Sequence, residues 1–279
     1  MNWQADLDRW KQVSGRLATD GADAGVRLVV LAAHPDDETI GASWLLGRFP
    51  QSSVVFLTDG APRDSSLWPW GVYGSRDEYG KLRREEAQRA VRHVGMSEEN
   101  IRWLGGVDQE AAGEGATLAA RFREILCELQ PSLIVTHSYE GGHPDHDTAS
   151  LIARIAPPRL EARPAPLILE MTSYHAHQGS CVTGRFLENG VLPELVLELS
   201  PEDRERKRRM MHAHGSQRRV LESFSVDSER LRPAPEYDFG RPPHPGKLWY
   251  ESMGWAMSGA RWRELAASAL RDHPEHTWA

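Results

Sequence analysis

Residues 27–38 read RLVVLAAHPDDE, and this stretch decides the fold. Its first seven residues, Arg27 to Ala33, are short, apolar and unalternating, the pattern of a strand buried on both faces of a parallel sheet. The Pro-Asp-Asp-Glu turn that follows opens onto Thr39 to Phe49, whose apolar residues are spaced for a helix. The pattern then repeats. Ser53 to Thr58 (SVVFLT) reads as a second strand and Arg76 to Gly95 as a helix ended by its glycine. Ile101 to Leu104 is a short strand and Thr117 to Leu129 an amphipathic helix. Ser132 to Thr136 (SLIVT) is a fourth buried strand, followed after a loop by a helix from Asp145 to Ile155, and Leu167 to Met171 is a fifth strand.

Strands alternating with helices in this way predict an α/β fold, Rossmann-like in its layering, with a mostly parallel sheet, helices on both faces and right-handed crossovers. Beyond residue 180 the pattern weakens. Leu192 to Leu199 suits an edge or antiparallel strand, and Pro201 to His214 a charged surface helix. Arg232 to Lys247 carries Pro233, Pro235, Pro242, Pro243 and Pro245, too many for regular structure. With no internal repeat and no linker, residues 1–279 read as one domain, a core of about 27–220 with a C-terminal elaboration of about 221–279.

Composition narrows the function. The chain has 279 residues, 40% apolar and 26% charged, ordinary for a soluble globular protein with a sizeable core. Lys and Arg number 33 against 40 Asp and Glu, a net charge of −7, so no basic face for nucleic acid is expected. No apolar run approaches the roughly 20 residues that span a bilayer. The opening MNWQADLDRWKQ lacks the apolar segment of a signal peptide. The only cysteines, Cys127 and Cys181, give no disulfide framework. A cytoplasmic protein with a small-molecule partner is the expectation; formation of a homo-oligomer is left open.

Two motifs lie just past the carboxyl ends of predicted buried strands, where ligands collect in such sheets. The first is Ala33-His34-Pro35-Asp36-Asp37-Glu38 and the second Gly141-Gly142-His143-Pro144-Asp145-His146-Asp147. The phosphate-binding pattern G-x-G-x-x-G is missing after the first strand, which argues against a nucleotide-binding domain. In each motif two potential metal-binding positions stand three residues apart across a turn entering a helix, which brings both side chains to one side. Proline suits that first helical turn, where its missing N–H would have no partner. Three nitrogen or carboxylate ligands with a vacant fourth position describe a catalytic zinc site rather than a structural one. With a carboxylate near the metal's water and a histidine near the carbonyl, the residues supply the parts of a metal-assisted hydrolysis. Alone, HPDDE would also serve as an acidic first helical turn; two such motifs on one sheet favour chemistry.

AHPDDE and GGHPDH together resemble the signature of the PIG-L/LmbE-like de-N-acetylases, metal-dependent enzymes that remove acetyl groups from N-acetylglucosaminyl compounds. The resemblance covers about Leu28 to Ile155. It implies that His34, Asp37 and His146 are the metal ligands, with Zn2+ expected and Fe2+ or Co2+ as alternatives for such a donor set. It implies that Asp36 is the general base acting on a metal-activated water, and that His143 stabilises the oxyanion and protonates the leaving amine. Asp145 would orient His143. Arg83 and Asp108 correspond to positions that hold sugar or aglycone hydroxyls. The implied function is removal of an N-acetyl group from an N-acetylglucosamine-type conjugate, with a non-sugar acyl amine as the alternative substrate. A silent carbohydrate-binding protein would have lost a ligand or the base, and neither is lost. Members of the mycothiol pathway carry a tyrosine where this chain has Gly141, which argues against a thiol-precursor substrate unless Tyr139 reaches the same space.

Other residues have two readings each. The loop from Asp59 to Tyr79 holds Trp68, Trp70, Tyr73 and Tyr79, placed either to stack on a sugar or to pin the loop. Arg63 in it reads as a solvated side chain or an anion contact. His175 and His177 are spaced to project together at the site's rim. Agreement with the family continues in Lys207, His214, Ser216 and Gln217, so His214 is a candidate for the pocket wall. The segment with His244 is a candidate cover, Cys127 a core residue, and Glu202 to Arg209 a solvated helix face.

Overall fold

The computed structural model describes residues 3–18, 26–49, 51–157, 165–188 and 193–272. Its strands are β1 (Leu28–Ala32), β2 (Ser52–Thr58), β3 (Ile101–Gly106), β4 (Leu133–His137), β5 (Leu167–Met171), β6 (Tyr174–His177), β7 (Ser180–Thr183), β8 (Leu195–Glu198) and β9 (Ser228–Pro233). The helices are α1 (Trp3–Ala18), α2 (Asp37–Arg48), α3 (Arg76–Arg92), α4 (Gly115–Leu129), α5 (Pro144–Ile155), α6 (Pro201–Ala213), α7 (Arg218–Leu221), α8 (Trp249–Ser252) and α9 (Gly259–Arg271).

Seven strands form one sheet in the order β3-β2-β1-β4-β5-β9-β8, and β6 and β7 make a separate hairpin. The first five are parallel; β9 and β8 continue the sheet antiparallel. Alternate residues of β1 face opposite layers. Leu28 and Val30 join a core with Trp44 and Leu45 of α2, Val91 of α3 and Met210 of α6. Val29 and Leu31 join a second core with Leu118 and Phe122 of α4, Ile152 of α5 and Trp262 of α9. The uninterrupted apolar run of β1 is thus explained by helices on both faces. Each such side chain, fully buried, contributes roughly 1.5–3 kcal/mol.

The order reverses at β1, whose neighbours are β2 and β4. The chain leaves β3 and returns on the other side of β1, making the crevice beyond β1 and β4 the place for a ligand.

Several elements depart from the sequence expectations. α1 was not foreseen; its Trp10 and Leu17 are buried in the first core. The antiparallel edge strand expected at 192–199 is β8, with residue 192 outside the described residues. β9 enters the stretch that its prolines seemed to exclude, and Pro233 is its last residue. It was hard to read because it inserts charges into the sheet, each compensated. Arg232 donates to Glu170 at 2.9 Å and Glu140 at 3.1 Å. Glu229 accepts from Ser43, from Trp44 N–H at 3.2 Å and from Lys207 at 3.0 Å. Lys207 also donates to Ile40 O at 2.6 Å, so α6 is not a fully solvated face: Asp203 and Lys207 are buried. Cys127 is exposed rather than in the core, because α4 buries Leu118, Phe122 and Leu126 instead. Among the described residues, no helix is long and apolar enough to cross a membrane.

Candidate active site and metal centre

Because β1 and β4 pair in parallel register, Leu28 with Leu133 through Val30 with Val135, the turns that follow them emerge side by side. In the first, His34 N–H donates to Asp37 Oδ2 at 2.8 Å and Asp37 N–H to His34 O at 3.3 Å. Asp36 takes φ +147°, a conformation costly for a residue with a Cβ. What holds it is Glu38. One oxygen of this fully buried carboxylate accepts Asp36 N–H at 2.9 Å; the other lies 2.6 Å from Thr39 Oγ1 and 3.0 Å from His214 Nε2.

The second turn is shaped by glycine. At Gly142 a Cβ would lie 1.9 Å from the carbonyl oxygen of Tyr174, so no other residue fits that backbone path. His143 then caps α5, its Nδ1 accepting Asp145 N–H at 3.1 Å ahead of Pro144 in the first turn. That bond fixes the neutral ring with its proton on Nε2.

The two turns bring His34, Asp36, Asp37, His143, Asp145 and His146 together, with Arg83 from α3 and Asp108 from the loop after β3. His34 Nδ1 is 3.4 Å from Asp37 Oδ2, and His146 Nε2 is 3.4 Å from Asp37 Oδ1. The rings of His34 and His143 meet edge-on at 4.4 Å, and those of His34 and His146 at 5.3 Å. Arg83 reaches Asp36 Oδ2 at 3.2 Å, while its Nε and Nη1 hold no hydrogen bond among the described residues. A cavity of about 390 Å³ opens over this cluster, walled also by Trp70, Tyr79, Tyr174 and Trp255.

Electrostatics sort these groups. Burial, moderated by Arg83, pushes Asp36 up to about 6. Burial would raise Asp37 too, but His146 and His137 outweigh it and hold its carboxyl well below the usual range. Burial, reinforced by His137, depresses His146 to about 3, and burial with His34 and His146 depresses His143. For His34 burial is outweighed by Asp108, Asp145 and Asp37, which push the ring well above its ordinary value.

This arrangement suits a divalent cation. Nitrogen and carboxylate donors of His34, His143 and His146, of His34, Asp108, His143 and Asp145, and of Asp37, His137 and His146 each lie within 4.8 Å of one another. Four carboxylates (Asp36, Asp37, Asp108 and Asp145) are gathered here, and of the four Arg83 pairs with Asp36. Asp108 Oδ1 is buried without a hydrogen-bond donor. Imidazole and carboxylate donors in this mix fit Zn2+, Fe2+ or Co2+.

Some sequence expectations are altered. Asp145 orients His143 through its backbone N–H; its carboxylate stands 3.9 Å from His143 Nδ1 but 3.2 Å from His34 Nε2. It also accepts Gln109 N–H at 2.6 Å and so anchors the loop that presents Asp108. His214 does not line the cavity; it lies behind, on Glu38, and Gln217 lines the wall instead. Neither His175 nor His177 reaches the cavity: His175 is buried and His177 exposed, and Tyr174 is the hairpin's contribution. Tyr139 points away, its hydroxyl on Arg241 O at 2.9 Å and its ring stacked on Trp262, so it does not fill the space beside Gly141. His244 is half-buried, its Nδ1 2.8 Å from Pro245 O, and does not line the cavity; Met253 and Trp255 provide the cover. The aromatic loop divides its labour. Trp68 pins it, donating to Pro62 O and packing on Tyr79, whereas Trp70 is 83% exposed at the cavity mouth. Arg63 is paired with Glu110 at 2.9 Å.

Sequence reasoning missed His137, whose ring stacks on His146 at 4.0 Å and whose Nε2 accepts Ala33 N–H at 3.1 Å. Its place at the end of a strand that delivers a metal motif was the available signal. It also missed Trp255, whose edge meets His143 at 4.8 Å; nothing local in the sequence ties it to the site.

Residues 29–156 match the PIG-L family, described as GlcNAc-PI de-N-acetylase. The chain is 29% identical over 177 residues to the 1D-myo-inositol 2-acetamido-2-deoxy-alpha-D-glucopyranoside deacetylase of Corynebacterium efficiens, an alignment covering 55% of this chain and 56% of that protein. It is 28% identical over 151 residues to the probable N-acetyl-alpha-D-glucosaminyl L-malate deacetylase 2 of Bacillus subtilis, covering 52% of this chain and 67% of that one. The match to the first of these relatives thus spans little more than half its length. The solved structure of the A40926 pseudoaglycone deacetylase shares the fold, with a TM-score of 0.58 at 18% identity over 77% of this chain and 99% of its own. Both motif turns fall inside residues 29–156, the stretch of this chain that matches the PIG-L family described as GlcNAc-PI de-N-acetylase.

Proposed function

We propose that the protein is a divalent-metal-dependent hydrolase that removes the acetyl group from an N-acetylglucosamine-type conjugate. The observation that carries this reading is the meeting of the HPDDE and HPDHD turns beneath one cavity, with Asp36 and His143 both on its wall. His34, Asp37 and His146 would hold the ion, with zinc the first candidate. A cation bound there supplies a polarised carbonyl and a more acidic water.

The chain's own residues do the rest. Asp36, held by Glu38 and Arg83, takes the proton of the attacking water. His143 keeps its Nε2 proton directed into the site because Nδ1 is occupied by Asp145 N–H. It donates a hydrogen bond to the carbonyl oxygen as negative charge develops there, and the proton that Asp36 took from the water passes to the departing nitrogen. The products are acetate and the free amine. Arg83 Nε and Nη1 and the Asp108 carboxylate are the candidate partners for sugar hydroxyls. His137, stacked on His146, fixes that ligand's orientation.

Acetate release from N-acetylglucosamine conjugates, measured with and without chelator, tests the reading. Release that stops on chelation and returns with Zn2+, Fe2+ or Co2+ is expected. Release indifferent to chelation, or confined to non-sugar acyl amines, contradicts it.

A further inference from the structure

A second cavity, of about 860 Å³, adjoins the first. Asp108, Gln109 and Trp255 belong to the walls of both, so one ligand can extend from the acetyl end into the larger space. Its walls are Asp108, the 62–67 loop, the 109–114 segment and residues 253–265, of which Pro62, Leu67 and Met253 also reach the first cavity. The last segment lies outside the family-matched residues 29–156.

We infer that this cavity is the subsite for the group joined to the acetylated sugar, and that it selects a bulky neutral or cationic group with an apolar face over an anionic one. The inference rests on the sugar-deacetylase reading and specifies its substrate. The volume is more than twice that over the metal cluster and within the usual ligand range of roughly 300–1,000 Å³. Asp64, Asp108, Glu110 and Glu114 share its walls with Arg63 and Arg261. Both arginines are engaged: Arg63 holds Glu110 through two contacts of 2.9 and 3.1 Å, and Arg261 holds Glu264 at 2.9 Å. A phosphate or carboxylate entering here meets carboxylates and no uncommitted guanidinium, and like charges brought together are strongly disfavoured. The apolar share is supplied by Leu67 and Met253, 39% and 51% exposed, with the Trp255 indole between the two spaces.

The test uses matched β-glycosides of N-acetylglucosamine bearing octyl, aminohexyl or carboxypentyl groups, with N-acetylglucosamine itself as reference. Relative kcat/KM is expected to be highest for octyl and aminohexyl and about tenfold or more lower for carboxypentyl. Ala256→Trp, which fills the second cavity alone, should bring the octyl-to-monosaccharide ratio down about tenfold, and Glu114→Lys should erase the bias against carboxypentyl. Calorimetric binding of the same glycosides runs in parallel. If no acetate is released, the deacetylase reading fails, while the binding order still judges the subsite. Equal binding of the three glycosides, or ratios untouched by both variants, overturns the inference.

Discussion

Residues 29–156 and residues 165–272 build the same site in different ways. The first region contributes groups with chemistry of their own: imidazoles and carboxylates delivered by two turns at the ends of adjacent strands, with the Arg83 guanidinium from α3 and the Asp108 carboxylate from the loop after β3. The second contributes support and walls. His214 holds Glu38, which holds Asp36; Trp262 donates to Pro144 O and Thr148 Oγ1, both at 3.0 Å, and so docks α9 on the first turns of α5. Tyr174 and Trp255 close on His146 and His143. The lesson is that reactive groups need short-range spacing, whereas their support can come from anywhere in the chain.

This contrast predicts a gradient of effects. Largest should be His146→Ala or His34→Ala in the first region: metal content measured by elemental analysis falls and acetate release is lost. Asp36→Ala should retain the metal yet lower kcat by about 10³-fold, since a positioned base is worth 10²–10⁴; near-normal turnover would remove Asp36 from that role. If support really is separable from chemistry, His214→Ala should keep the metal and lower kcat by about 10- to 100-fold with little change in KM. A change in KM alone would mean that His214 acts on substrate rather than through Glu38. Smallest, Trp262→Phe should cost about 1 kcal/mol in denaturant unfolding through its lost hydrogen bonds, leaving turnover nearly intact.

Legibility in the sequence followed the same divide. The parallel strands were readable because β1, β2, β4 and β5 are apolar runs buried on both faces, and the motif turns because histidine, proline and aspartate stand at helix-entry spacing. β9 was not readable: its burial depends on partners at Glu140, Glu170 and Lys207, distant in sequence and silent in any local window. Lys207 itself passed for a solvated residue because a charge run gives no sign of which member turns inward. The roles of Glu38 and His214 were hidden for a related reason, since a buried acid and histidine pair 176 positions apart. Asp145 shows the limit even inside a motif, where its backbone rather than its carboxylate meets His143.

The central claim is a cation shared by the turns at His34 and His143–His146. Its most direct measurement is metal stoichiometry of the chelator-stripped, reconstituted protein beside the folded His34→Ala and His146→Ala variants. The account predicts about one tightly held divalent ion per chain in the parent and none in either variant. Equal metal uptake by all three, or a folded parent that takes up no metal, would contradict it.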